Sequence, residues 1–360
     1  MYKYFIFLLI YLGLISCIDL NRQAEDDLYL INFQPLLKKE AEVLSLNQWG
    51  KKVQFIPLKD SASISIKSIQ YLKQKGDKLL IVHSGKMSLF NLKGEYLYDI
   101  KEQDQRRNRK DGFILRNDTI FVSDKSFGFS LYNWDGEYLG KLFKPHIRHS
   151  TNFFSVPQSD VFLAHVNNFT GKKEIRLFFF RDTTVLKIIP NWEKYEPISP
   201  EVVYNIDSEM RPFDGTVSAF KEVFNDTIFK VDSALNLHPY AVVNLGKYKA
   251  TKEAMFSCTA ETLLSNGWDF FGNKIALTAI GETGDILYFT HYDMKNPYVY
   301  SFDKSTGKAF FQKIVYSENP FGFSTENTFV PRFISMDGKY LIDYEMSPNG
   351  GNLIIVLVER

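Results

Sequence analysis

The chain has 360 residues, with 43 basic against 42 acidic and a formal net charge of +1, so no global field recruits nucleic acid or an anionic surface. Phe (32) and Tyr (20) are abundant and cluster with β-branched residues in short runs, which favours strands over helices. The length suits either two ordinary domains or one large repeat domain.

The first sixteen residues carry a targeting pattern. Lys3 precedes an apolar run over residues 5–15, and Ser16-Cys17 follows. The run is too short to span a bilayer and reads as a secretory signal. Leu14-Ile15-Ser16-Cys17 resembles a bacterial lipobox, which implies cleavage before Cys17, a diacylglycerol on its thioether and further acylation of the new amino terminus. Several acyl chains, each worth about 0.8 kcal/mol per buried CH₂, exceed the two signals that stable anchoring takes. The simpler alternative is an ordinary signal peptide with an incidental Cys. With Cys17 lipidated, Cys258 stands alone, so no intramolecular disulfide is expected; Phe256 and Ser257 offer it no base or cation, and it reads as a buried structural thiol.

Residues 17–42 are mixed and polar, with Glu25-Asp26-Asp27, and read as the lipidated terminus and a tether; the folded part is expected over residues 43–360. Val53-Gln54-Phe55-Ile56-Pro57-Leu58 alternates and ends near a Pro, as an edge or closing strand would. From residue 66 hairpins follow one another. Leu89-Phe90-Asn91-Leu92-Lys93-Gly94-Glu95-Tyr96-Leu97 returns 42 residues later as Leu131-Tyr132-Asn133-Trp134-Asp135-Gly136-Glu137-Tyr138-Leu139. A hairpin recurring at that interval points to a propeller blade. Residues 78–82 are expected as an inner strand of blade one, 117–122 as the corresponding strand of blade two, and 153–189 as blade three. Blade four is expected to open at Asn225-Asp226-Thr227-Ile228-Phe229, identical to residues 117–121. Blade five takes strands over 274–277, 285–289 and 298–302, and blade six starts at 333–341. The last apolar strand, 353–358, is left to pair with the strand near Phe55, which closes a six-bladed β-propeller and removes its open edges. Segments 191–216 and 247–267 interrupt the repeats, with a weak helical pattern over 250–264.

These features resemble a family of six-bladed propeller lipoproteins of Bacteroidetes, distant relatives of NHL and TolB-type propellers. The resemblance covers roughly residue 53 to the C-terminus. It rests on Phe55-Ile56-Pro57-Leu58, on Phe224-Asn225-Asp226-Thr227-Ile228-Phe229 with Tyr240 and Leu245-Gly246, on Phe329-Val330-Pro331, and on the apolar last strand. Where that family has a Gly-rich loop after blade one, this chain has Glu102-Gln103-Asp104-Gln105-Arg106-Arg107-Asn108-Arg109-Lys110. The resemblance implies fold and compartment; the family has no assigned activity.

Arg106, Arg107, Arg109 and Lys110 form the one dense basic cluster, suited to a phosphate, a sulfated or uronic glycan, or lipid headgroups. The plainer reading is a solvated loop offset by Glu102 and Asp104. His146-Ile147-Arg148-His149, with Asp160 and His165, lacks the helical spacing of a zinc motif, and the Asp-Gly pairs at Asp111, Asp135, Asp214 and Asp337 read as turns rather than calcium loops. No metal, cofactor or catalytic residue is assigned. The expected function is a binding or scaffold module, anchored in the cell envelope (the outer membrane) through acylated Cys17, monomeric, with a glycan, peptide or envelope-protein ligand. The alternative is an enzyme of lactonase or polysaccharide-lyase type with a metal on the propeller axis, which rests on analogy between folds alone.

Overall fold

The computed structural model describes residues 28–59, 66, 68–100, 113–123, 128–147, 150–168, 170–196, 210–212, 219–251, 273–292, 297–317, 319–324, 326–348 and 352–360. The two copied hairpins fold by the same side-chain chemistry. Asn91 Oδ1 accepts the backbone N–H groups of Lys93 (2.9 Å) and Glu95 (3.0 Å), and its amide donates to Glu95 at 2.8 Å. Asn133 repeats this with Asp135 (3.0 Å) and Glu137 (2.9 Å), and again donates to the Glu side chain at 2.8 Å. Each turn holds a glycine in the left-handed region, Gly94 at φ +75° and Gly136 at +79°. The need is strictest at Gly94, where a Cβ would stand 1.9 Å from the Pro57 carbonyl oxygen.

The chain opens with three strands, β1 (Tyr29–Asn32), β2 (Glu42–Ser45) and β3 (Lys52–Pro57); a one-turn helix, α1 (Leu46–Trp49), joins the last two. Blade one follows as β4 (Tyr71–Lys75), β5 (Lys78–His83), β6 (Lys86–Asn91) and β7 (Tyr96–Asp99). Blade two is β8 (Phe113–Arg116), β9 (Thr119–Ser123), β10 (Gly128–Asn133) and β11 (Tyr138–Phe143). Blade three is β12 (Ser150–Ser155), β13 (Phe162–Val166), β14 (Ile175–Arg181) and β15 (Thr184–Pro190). Blade four is β16 (Met210–Pro212), β17 (Ala219–Glu222), β18 (Thr227–Val231) and β19 (Leu237–Asn244). Blade five is β20 (Leu277–Thr283), β21 (Ile286–His291), β22 (Tyr298–Asp303) and β23 (Lys308–Val315). Blade six is β24 (Phe333–Ile334), β25 (Tyr340–Met346) and β26 (Leu353–Glu359), completed by β3.

Each blade is an antiparallel meander, and the first strands of neighbouring blades touch: β8 with β12, β12 with β16, β16 with β20, β20 with β24, and β24 with β4. The ring closes where β3 pairs antiparallel with β26 over Lys52–Glu359 to Pro57–Ile354, so the expected six-bladed propeller with an N-terminal closing strand is what forms. Packing tells the same story. Among the described residues six buried apolar clusters occur, one at each interface between neighbouring blades. The interface of blades two and three holds Phe121, Phe129, Phe153, Phe162 and Phe180, whose rings meet at 5.3–6.5 Å. That is where the surplus of Phe is consumed.

Four expectations change. Residues 29–42 are not tether: β1 lies parallel on the outer edge of β19 and β2 parallel on that of β23, so the N-terminal segment straps blades four, five and six in turn. Its pattern hides this because an edge strand buries little. Leu30 is 72% and Val43 62% exposed, while Ile31 and Phe33 are fully buried. Second, residues 78–82 form the second strand of blade one, not the inner one; β4 stands inside it and carries the buried polar residues Lys73 and Gln74. Third, Asn225-Asp226-Thr227-Ile228-Phe229 does not open blade four. It sits at the turn from β17 to β18, as residues 117–121 do between β8 and β9, and the 191–216 segment contains the first strand, β16. Fourth, residues 274–276 precede β20, which begins at Leu277. The helical pattern over 250–264 lies outside the described residues beyond Thr251.

Candidate functional site

The strap frames a concavity on blade five. Between β1 and β2 the chain must pass from the edge of blade four to that of blade five. Phe33 pins this crossing, its ring edge-on to Phe289 (5.9 Å) and Tyr300 (5.3 Å). At the far end Ser45 and Gln48 form a reciprocal cap on α1, and Trp49 donates to Gln312 Oε1 at 3.1 Å. Held at both ends, residues 37–43 bridge a cleft of about 510 Å³, within the usual range for ligand pockets.

The wall of the cleft is one face of blade five. Tyr298 is the cross-strand partner of Lys313, and Tyr300 that of Phe311. Directly opposed residues project from the same face, so the four side chains form a two-by-two patch. The rings of Tyr298 and Phe311 approach to 4.8 Å, and those of Tyr300 and Phe311 to 5.1 Å. Tyr300 and His291 are buried at the back, whereas Tyr298, Phe311 and Lys313 are half-buried and present surface. Tyr248 enters from blade four, where the Lys249–Ile275 bridge ties the end of that blade to the start of the next. Three lysines line the cleft, Lys39, Lys274 and Lys313, against one carboxylate, Glu40. Lys274 donates to the Lys247 carbonyl at 2.7 Å; among the described residues Lys39 and Lys313 make no ion pair.

A second polar group is sealed rather than open. Arg176 of β14 is fully buried between blades three and four, its Nε 2.5 Å from Glu222 Oε1 and its Nη2 3.5 Å from Glu193 Oε2. Burial pushes the Glu222 carboxyl up, and the Arg176 charge works against that rise. Burial, seconded by Arg176, holds His165 well below its ordinary value, so it is neutral. Next to Glu222, Lys221 donates to the carbonyls of Glu222 (3.0 Å), Val223 (3.1 Å) and, across to blade five, Leu277 (2.9 Å), and burial lowers it to about 8. Lys73 does the same between blades one and six, donating to the Ile334 carbonyl at 3.0 Å. These cations stitch blades together.

Blade six has its own network. Asp343, fully buried, accepts the Val330 N–H at 2.8 Å and faces Arg332 Nε at 3.3 Å. Burial, reinforced by Asp343, raises the neighbouring Glu345 to about 7.

Of the residues singled out in the sequence, Cys17, Cys258 and the cluster Arg106, Arg107, Arg109 and Lys110 lie outside the described residues. His146 and His165 are not brought together as ligands: His165 sits in the core, and Asp160 pairs with Arg181 at 2.7 Å. Among the described residues no three His, Cys, Asp or Glu side chains are grouped to hold a metal. The two Asn-Asp-Thr turns act as turns, with Asn117 at φ +53° and Asn225 accepting the Thr227 N–H at 3.0 Å. Their Asp residues pair with lysines, Asp118 with Lys75 and Asp226 with Lys249. The cleft was not visible in the sequence, because four of its fourteen lining residues, Leu37, Lys39, Glu40 and Ala41, come from the segment that reads as tether.

No curated protein matches the chain. Among solved structures, it is similar to a Bacteroides fragilis protein described as a candidate exported protein, at 13% identity and a TM-score of 0.61, covering 93% of this chain and 100% of that one. It is also similar to virginiamycin B lyase of Staphylococcus aureus (12% identity, TM-score 0.43, 85% and 99% covered) and to the Neurospora crassa Pan2 WD40 domain (10%, 0.41, 82% and 90%). The first of these shows a shared fold. A family profile described as a domain of unknown function, DUF4934, matches residues 28–348, starting at the strap rather than at the first blade, and the chain belongs to that family.

Proposed function

We propose that the protein is an exported, lipid-anchored envelope component whose propeller binds saccharide in the cleft under the N-terminal strap. The observation that carries this reading is the half-buried patch of Tyr298, Phe311 and Lys313 on one face of blade five, backed by buried Tyr300 and lined on the strap side by Leu37, Lys39, Glu40, Ala41 and Val43. Aromatic faces with adjacent polar groups suit a sugar, whose ring offers C–H groups on its faces and hydroxyls at its edge. The export signal before Cys17 supports the compartment, and the description of the Bacteroides fragilis protein agrees with it.

Calorimetric titration with soluble oligosaccharides tests the site. Tyr298→Leu keeps an apolar side chain on the strand but removes the stacking face, and should weaken binding about two- to tenfold with the circular dichroism spectrum unchanged. Binding indifferent to Tyr298→Leu would place the ligand elsewhere.

A further inference from the structure

The charge of the cleft is not what a neutral sugar needs. From the register of blade five we infer that the ligand is an anionic saccharide, one whose ring stacks on the Tyr298–Phe311 pair while its carboxylate or sulfate group meets Lys313. This rests on the reading of the cleft as a saccharide site and specifies the sugar.

Tyr298 and Lys313 are direct partners on antiparallel strands, so the lysine side chain rises beside the aromatic one from the same face. A uronic acid carries its carboxylate at the ring edge, and a sulfate ester is likewise peripheral. A ring lying on the aromatic pair therefore directs its charge toward Lys313. Lys39, on the strap, and Lys274 line the same space, which brings the lysines there to three. Glu40 offsets only one of the three. Lys39 and Lys313 have no ion-pair partner among the described residues, so they bring full charge to an incoming anion. Val43 is the parallel strand partner of Lys313, which keeps the lysine at the boundary of strap and blade.

The test titrates the full folded chain with three probes of similar size: an oligogalacturonate, a sulfated disaccharide and a neutral galacto-oligosaccharide. The acidic probes should bind at least about tenfold tighter than the neutral one at low salt, with the advantage shrinking as ionic strength rises. Whichever acidic probe binds more tightly tells carboxylate from sulfate. Lys313→Gln and Lys39→Gln should each weaken acidic binding about three- to tenfold, and by more than they weaken neutral binding. Lys308→Gln, on the same strand but exposed and outside the cleft, should change nothing. Equal affinity for acidic and neutral sugars, or an equal loss in Lys308→Gln, overturns the anionic assignment while the cleft remains a saccharide site. If none of the three probes binds, the saccharide reading itself falls.

Discussion

A chain starting at Leu28 should fold, and one starting at Leu58 should not. Removing residues 28–57 strips the outer strands from three blades at once, since β1, β2 and β3 lie on β19, β23 and β26. The loss is greatest at β26. Its residues Leu353 to Val358 are all buried, and without β3 their outer row of N–H and C=O groups opens on an apolar edge, a ready site for aggregation. Ile31, Phe33, Leu46, Trp49 and Ile56 also leave the core. At roughly 1.5–3 kcal/mol for each large apolar side chain, these five alone rival the 5–15 kcal/mol that holds a typical domain together. The shorter chain should be recovered only as insoluble material, and the longer one should melt cooperatively. A soluble 58–360 chain with native near-ultraviolet dichroism would show that the strap is an accessory.

Replacing Arg176 by Met should be the most damaging single change away from the ring closure, costing about 3–5 kcal/mol in urea unfolding. The side chain is fully enclosed, and its removal leaves Glu222 buried without a counter-charge. Adding Glu222→Leu should restore most of the loss, because an apolar pair of similar volume needs no desolvated charge. The deficit of the single variant also depends on pH. With Arg176 gone the Glu222 carboxyl rises further, so the folded state holds a proton that the unfolded chain releases above its ordinary value of 4.5. Stability therefore falls as pH increases through that region, and the deficit should shrink on acidification toward pH 5. A double variant no better than the single one would mean that Arg176 acts through packing against Trp192, 5.8 Å away, rather than through charge.

What could be read in advance follows from where information is local. The hairpin turns were legible because Asn91 and Asn133 satisfy their own backbone neighbours, so the five-residue turn with Asn first and Gly-Glu last folds the same way in both blades. The apolar second and third strands were legible because both faces pack on neighbouring blades. The first strand of blade one was not, because β4 gives two of its three buried positions to Lys73 and Gln74, which breaks the apolar pattern that would announce it. The Phe329-Val330-Pro331 motif was recognisable, but its reason is distant: Phe329 fills the interface of blades five and six, and Val330 donates to Asp343. The cleft was hidden for a similar cause. Tyr29 to Asn32 become a strand only by pairing with residues 241–244, more than two hundred positions away, and no local pattern records that partner.

The strap holds blade four through the pairing of β1 with β19, and one cystine tests that pairing. Asn32 and Asn244 are parallel strand partners, exposed, with their side-chain amides 3.2 Å apart. In a Cys258→Ser background, Asn32→Cys with Asn244→Cys should form a disulfide on mild oxidation of the folded protein, read as loss of free thiol and faster migration on a non-reducing gel. Thiols that stay free in folded, monomeric protein would contradict the pairing, and with it the roof of the proposed binding cleft.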